Sequence, residues 1–454
     1  MTLTPPAPGG RSGLATTLRF NALWALAGRG VGIVAAFALN AIAARLLSPG
    51  DFGAYLLAVT IAFAAAHVAE LGVPEIATRL VAEADATGRS GRTAALIRRC
   101  GALVAVGSTL TGLALLTPPV RAALAALLPV AQLDIALPAI VIMVVVRTLA
   151  TLTAEVFRGL GDVRLATLLD GTLGSALASV LCLLLLRAGT TSLRDVLLLT
   201  AVAGIAPALI GAALLAVRVR ASESGQQAHD ATLRELLVPA APNLVNRVAL
   251  YTLSQLDLWV VAVLLTTADA GLYGSALRSV LLVSTPLLVV HQIMPAVIAG
   301  HHALGRAREL ERLLRTAATV AGVPALAVLL VLVVAGGPIL DLAFGAFYRA
   351  AAPVLAVLAL GRAPVALAGP CGTVLLMTGR QRVLMRVSLV TVGVTLPLML
   401  LGGAAFGPVG VAAASSAGAV AQASWLWWLA RRELGISTHM RLDLGWRGRA
   451  RTVL

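Results

Sequence analysis

No lysine occurs among the 454 residues; all 35 basic side chains are arginine. A Walker-type ATPase needs its P-loop lysine and a Schiff-base enzyme needs a nucleophilic amine, so both classes are excluded. Charge of either sign is scarce, at 12% of residues, where a soluble domain carries about 25%. Cysteine is rarer still. Cys100, Cys182 and Cys371 stand alone, with no C-x-x-C or other metal-ligand spacing, so neither a disulfide framework nor a metal site is expected.

What fills the space is hydrocarbon. Apolar residues make up 59% of the chain, and the mean hydropathy is +0.94. Apolar stretches long enough to cross a bilayer core, about 20 residues each, recur along it. A β-barrel would instead show short alternating segments. The expectation is an all-α polytopic membrane protein with about twelve transmembrane helices, including 21–44, 52–78, 236–265, 271–299, 350–378, 383–403 and 408–430. A net charge of +15 raises nucleic-acid binding. It is rejected because the arginines sit in short loops between apolar spans.

One phrase occurs twice. Residues 46–55 and 264–273 both read L-L-[ST]-x-x-D-x-G-x-Y, at an offset of 218. The register holds beyond it, mapping Arg29 onto Arg247, Gly161 onto Gly379 and Arg164 onto Arg382. Six spans per half give both halves one orientation, a parallel repeat of two six-helix lobes around a central cavity. The expected divisions are a disordered cytoplasmic tail (1–20), an N-lobe (21–218), a polar cytoplasmic linker (219–235), a C-lobe (236–432) and a basic cytoplasmic tail (433–454). One set of loop ends carries 25 arginines and the opposite set five. By the positive-inside rule both termini are cytoplasmic. Trp425, Trp427 and Trp428 before Arg431 and Arg432 form an aromatic belt and a cationic stop at that interface. The first, seventh, eighth and tenth spans are rich in Gly or Pro. These residues either kink helices for rocking motions or reflect the ordinary composition of membrane helices.

A charge near the bilayer centre costs on the order of 3 kcal/mol, so each one faces a partner or a cavity. The candidates are Arg29, Glu70, Arg147, Glu155, Asp170, Arg247, Asp257, Arg278 and Arg362. In a tight hairpin, two residues lie at equal depth when their numbers average to the turn centre. Arg29 and Glu70 satisfy this for the first hairpin, and Asp257 and Arg278 for the second. Each is a candidate ion pair, structural or functional. Arg247 has no carboxylate level with it on its own hairpin; its level residue is Leu288, with His291 a turn away. By the repeat, Arg29 and Arg247 are expected to face each other across a cavity, with Arg147 and Arg362 nearly in register. A guanidinium holds phosphate bidentately in low dielectric, so Arg29, Arg247, Arg147, Arg362 and Arg278 are the expected substrate-binding set, suited to a diphosphate. Glu155 and Asp170 are expected to pair with Arg158 or Arg164. His67 and His291 are proton-relay candidates or structural histidines.

ARLLSPGDFGAY with AELGVPEIATRL, and LDLWVVAVLLTTADAGLYGSALR, resemble the first hairpin and the seventh-to-eighth span signature of oligosaccharide and polysaccharide flippases. These belong to the multidrug/oligosaccharidyl-lipid/polysaccharide exporter superfamily. EVFRGLGDVRLATLL, the stretch from FGAFYRA to GRQRVL, and FGPVGVAAASSAGAV resemble later regions, so the likeness runs over about 20–430. It implies a V-shaped pair of lobes, alternating access and a polyprenyl-diphosphate-linked saccharide as substrate. It also implies the bacterial cytoplasmic membrane as location and polysaccharide polymerase or export machinery as partners. No cofactor is implied, and coupling to H+ or Na+ is common but not uniform. Asp257, Glu70 and His291 are the coupling candidates. Peptidoglycan-precursor flippases carry two further C-terminal spans that this chain lacks. Two alternatives stand: a cation-coupled drug or small-molecule exporter of the same superfamily, and a membrane glycosyltransferase or ligase acting on the same lipid carrier. The first calls for an acidic or neutral cavity, the second for sizeable external loops.

Overall fold

The computed structural model describes residues 10–188, 192–223, 232–304 and 306–440. Among them there is helix and no strand, and ten stretches are long and apolar enough to cross a bilayer. The chain divides into two compact units. The first comprises residues 1–47 and 54–255, the second residues 48–53 and 256–454. The sequence division put the joint at 219–235; by packing, residues up to Gln255 go with the first unit.

The first unit is built from α1 (Gly10–Leu46), most of α2 (Pro49–Ala69), α3 (Val73–Ala86), α4 (Ser90–Leu116), the short α5 (Pro118–Leu124) and α6 (Val130–Gly159). It continues through α7 (Val163–Thr167), α8 (Leu173–Ala188), α9 (Leu193–Ala203), α10 (Ile205–Glu223) and the start of α11 (Leu233–Leu264). Helix α1 begins inside the stretch read as a tail. Its Gly28 and Gly32 do not kink it; they let Thr167 and Thr172 approach, since a Cβ at either would come within 2.8 Å of a threonine side chain. The expected second span, 52–78, is broken. Helix α2 ends at Ala69, and Leu71 (φ 53°) and Gly72 (φ 70°) turn the chain before α3 restarts with Pro74 in its first turn. Helix α3 buries Val73, Ala77, Leu80, Val81 and Ala84. That i, i+4, i+7, i+8, i+11 stripe packs with Leu96, Ile97 and Cys100 of α4, Phe157 of α6, and Leu236 and Ala240 of α11.

The second unit holds the end of α11, α12 (Thr267–Ala303), α13 (Ala307–Phe344), α14 (Ala352–Ala368), α15 (Cys371–Met377) and α16 (Gln381–Leu434). The expected tenth span is likewise divided, at Gly369 (φ 73°). The expected eleventh and twelfth spans lie together in α16, on either side of a non-helical Gly407. Residues after α16 fold back over the α14–α15 break. There Thr438 donates to the Ala368 carbonyl at 2.7 Å and the Met440 N–H to the Leu367 carbonyl at 3.0 Å. Beside them, burial and then the charges of Arg315 and Arg431 lower the pKa of His439. Of the basic tail, 441–454 lies outside the described residues.

The doubled phrase is a helix-starting device. Ser48 accepts from the Asp51 N–H at 3.2 Å and donates to its carboxylate at 2.7 Å. Thr266 and Asp269 repeat this at 3.1 and 2.7 Å, and the Thr266 N–H also donates to Asp269 at 3.2 Å. Each is a reciprocal cap of the first turn, of α2 and α12 respectively. The glycine of the phrase has a separate cause. Gly53 lies against the backbone of Thr267 and Gly271, and Gly271 against that of Pro49 and Gly53. The two turns therefore touch backbone to backbone inside the second unit.

Candidate functional site

The break between α2 and α3 puts three ionisable side chains at one place: His67 and Glu70 before it, Glu75 in the first turn after it. Helix α11 brings Asn243, Arg247 and Tyr251 to them. Arg247 Nη2 lies 3.3 Å from Glu70 and 3.3 Å from His67 Nδ1, while Nη1 pairs closely with Glu75. Asn243 donates to Glu75 at 2.7 Å and to the Gly72 carbonyl at 3.2 Å, tying the break itself to α11. His67 Nδ1 lies 3.2 Å from Glu70, and the His67 ring stands edge-on to Tyr251. Exposure is graded: the Glu70 side chain is 0% exposed, Arg247 21% and Glu75 35%.

A second polar group continues across the first unit. Arg147 reaches Asp170 at 3.3 Å and lies over the Phe63 ring. Asp170 also meets Arg158 at 3.5 Å, and Arg158 pairs with Glu155. Thr78 of α3 donates to Glu155 at 2.7 Å. Asp170 and Gly171 (φ 88°) have non-helical dihedrals, a local break that offers this carboxylate to two arginines.

In the second unit Asp257 is buried among hydroxyls. One carboxylate oxygen accepts from Tyr273 at 3.0 Å and Ser415 at 3.4 Å, the other from the Leu258 N–H at 2.9 Å. Arg362 of α14 acts on it electrostatically.

Sequence depth and structural neighbourhood therefore differ. Glu70 meets Arg247, while Arg29 is exposed on α1. Arg247, read as lacking a carboxylate, has two, because hairpin arithmetic considers only its own hairpin and both partners come from the first one. Arg29 and Arg247, expected on opposite walls of a cavity, both belong to the first unit. The hairpin partner of Asp257 is Tyr273 rather than Arg278, which lies half-buried farther along α12. Arg147 and Arg362 fall in different units, and Arg147 pairs with Asp170. The side chain of His291 lies outside the described residues. Asp170 and Glu155 do meet Arg158. Glu75, Asn243, Tyr273 and Ser415 were missed; for Glu75 the signal was present, since Gly72 and Pro74 mark a helix stop and start inside an apolar run.

The sequence profile of the polysaccharide biosynthesis protein family matches residues 18–299. The chain belongs to that family. No curated relative matches it by sequence. Solved structures share its fold. The inward-facing conformation of a multidrug resistance MATE family transporter of the MOP superfamily superposes with a TM-score of 0.68 at 16% identity, over 90% of this chain and 98% of that one. A mutant of the Vibrio cholerae MATE transporter VcmN gives 0.64 at 18% identity, covering 93% and 98%. The lipid II flippase MurJ, inward closed, gives 0.60 at 14%, covering 89% and 86%. This polysaccharide biosynthesis family member thus has a transporter fold. Its broken second span carries two carboxylates, Glu70 and Glu75, that both meet Arg247 of α11.

Proposed function

We propose that this protein is a flippase. It carries a polyprenyl-diphosphate-linked oligosaccharide across the bacterial cytoplasmic membrane by alternating access, for cell-surface polysaccharide synthesis. The observation that carries the reading is Arg247, an intramembrane guanidinium held by its Nη2 edge against buried Glu70 and paired at its Nη1 edge with the partly exposed Glu75. Membership of the polysaccharide biosynthesis family supports the substrate class. The guanidinium fork matches a diphosphate oxygen pair, and a permanent positive charge suits a lipid headgroup that must leave water. Exposed Arg29, with Arg147, Arg278 and Arg362, is the remaining cationic complement. Coupling to an H+ or Na+ gradient is assigned to Asp257, whose hydroxyl-lined carboxylate is the right chemistry for a small cation. Polysaccharide polymerase or export components are the expected partners.

The test removes the cation without stranding a buried charge, since the other partner of Arg247, Glu75, is partly exposed and stays hydrated. Arg247→Ala alone would leave Glu70 buried without its guanidinium partner, a cost of about 3–5 kcal/mol. Arg247→Gln with Glu70→Gln replaces both members of the pair by neutral amides. Proteoliposomes carrying a fluorescent lipid-linked oligosaccharide should show translocation by the wild type and its loss in the double variant at equal protein level. Undiminished translocation would overturn the reading.

A second reading has one observation behind it. In the first unit Glu70, Glu75, Glu155 and Asp170 accompany Arg147, Arg158 and Arg247, a balance that suits a cation exporter. Gradient-driven efflux of a cationic dye from vesicles, without lipid translocation, would select it.

A further inference from the structure

Arg247 has two different edges. At Nη2 it meets a carboxylate that is 0% exposed, together with His67; at Nη1 it meets Glu75, 35% exposed. The buried contact fixes the guanidinium, because separating it would leave a charge in low dielectric. The partly exposed contact is weaker, since solvent competes for both members. Glu75 is also held by chain that is built to turn. It lies in the first turn of α3, three residues after Gly72, and Leu71 and Gly72 both have positive φ. A Cβ on Gly72 would clash with the Ala240 carbonyl and come within 2.7 Å of the Leu244 N–H. The break is therefore pressed onto α11, one turn from Asn243, whose amide joins Glu75 and the Gly72 carbonyl.

We propose that Glu75 is a built-in stand-in for the anionic group of the substrate. It occupies the Nη1 edge of Arg247, on the partly exposed side of the cluster, and the substrate must displace it. Asn243 is the positioning residue that keeps Glu75 in place. Displacement removes the Glu75 link between the first turn of α3 and α11, leaving the Asn243 bond to the Gly72 carbonyl, so occupancy of the Nη1 edge is read out as loosening of α3. A carboxylate and a phosphate oxygen pair present the same acceptor geometry to the fork, which is why one can replace the other. The inference rests on the reading of Arg247 as a substrate-binding residue.

The probe is undecaprenyl diphosphate, titrated into full-length protein in nanodiscs and followed by native mass spectrometry. Hydrogen exchange of residues 73–86 is measured alongside. Glu75→Gln keeps the Glu70 pair and removes the competing charge, so it should bind at least about threefold tighter than wild type, the equivalent of a partly exposed ion pair. It should also show fast exchange in α3 without ligand, where the wild type shows it only with ligand. Asn243→Ala, which leaves both charges in place, should move affinity in the same direction by less, and it serves as the variant should Glu75→Gln fail to fold. Wild-type binding that neither variant strengthens overturns the stand-in and leaves the binding residue standing. Absence of binding by wild type and variants alike overturns both.

Discussion

At the residue scale the most consequential feature is that each of these buried charges is met by groups from another helix. Asp257 shows what this demands. Tyr273, Ser415 and the Leu258 N–H cover its two oxygens, so the carboxylate needs no direct cation to stay buried. Hydrogen bonds to a charged group contribute about 1.5–3 kcal/mol each. Tyr273→Phe should therefore lower the thermal midpoint of the purified protein measurably. Asp257→Asn keeps an acceptor for Tyr273 and should be milder in stability, yet it should abolish any dependence of translocation on an imposed H+ or Na+ gradient. Gradient dependence that survives Asp257→Asn would remove this residue from coupling. The sequence allowed all of these residues to be ranked by depth, because depth is a matter of counting from a turn. It did not allow partners to be assigned, because the same height is shared by every neighbouring helix and the direction in which a side chain points is set by packing. Arg247 and Glu70 were both singled out, and both were given the wrong neighbours for this reason.

At the scale of elements, the doubled L-L-[ST]-x-x-D-x-G-x-Y was legible as a duplication and as a turn. Its physical content is richer. The hydroxyl and the aspartate start a helix, and the glycine lets two such starts touch. Gly53 lies directly against the Thr267 carbonyl, with no room for a Cβ, whereas a Cβ on Gly50 would sit at 3.4 Å from the Thr267 hydroxyl, an ordinary contact. Gly53→Ala should therefore sharply reduce the level of folded protein, read as monodisperse signal from a fluorescent fusion, while Gly50→Ala should be tolerated. Equal loss in both would point to a general requirement for flexibility instead. The breaks in the second and tenth spans carry the same lesson in reverse. Hydropathy summed over 52–78 reports one long span, because Leu71–Gly72 interrupts the helix without interrupting the apolar run. Only local chemistry marks the stop: a glycine in a left-handed conformation, and a proline two residues later where its missing N–H costs nothing. The tenth span reads as rich in Gly and Pro, among them Gly369 and Pro370, but nothing local could show that Thr438, from beyond the last helix, binds the carbonyl freed at that break.

At the scale of the whole molecule, composition settled most. A chain with 59% apolar and 12% charged residues has few ways to fold other than as membrane-spanning helices, and an all-helical transporter fold is what it forms. The remaining freedom is which way round it sits. Arginine is the only basic residue, so nothing else weighs on the positive-inside rule, and the split of 25 against five between the two sets of loop ends is far from even. The doubled phrase, read as a parallel repeat, predicts the same arrangement. If six spans precede the joint at 219–235, the start of the chain, that joint and the tail after α16 share one side. A fluorescent protein that matures only in the cytoplasm should then be bright when fused after Leu434 or inserted at 224–231, and dark when inserted beside Arg121. Alkaline phosphatase, active only outside, should give the complementary pattern. Brightness at Arg121 with darkness after Leu434 would invert the orientation and place the Arg-rich ends outside. A mismatch between the joint and the tail would mean an odd number of spans in the second half, which would end the parallel repeat while leaving the buried Arg247 cluster untouched.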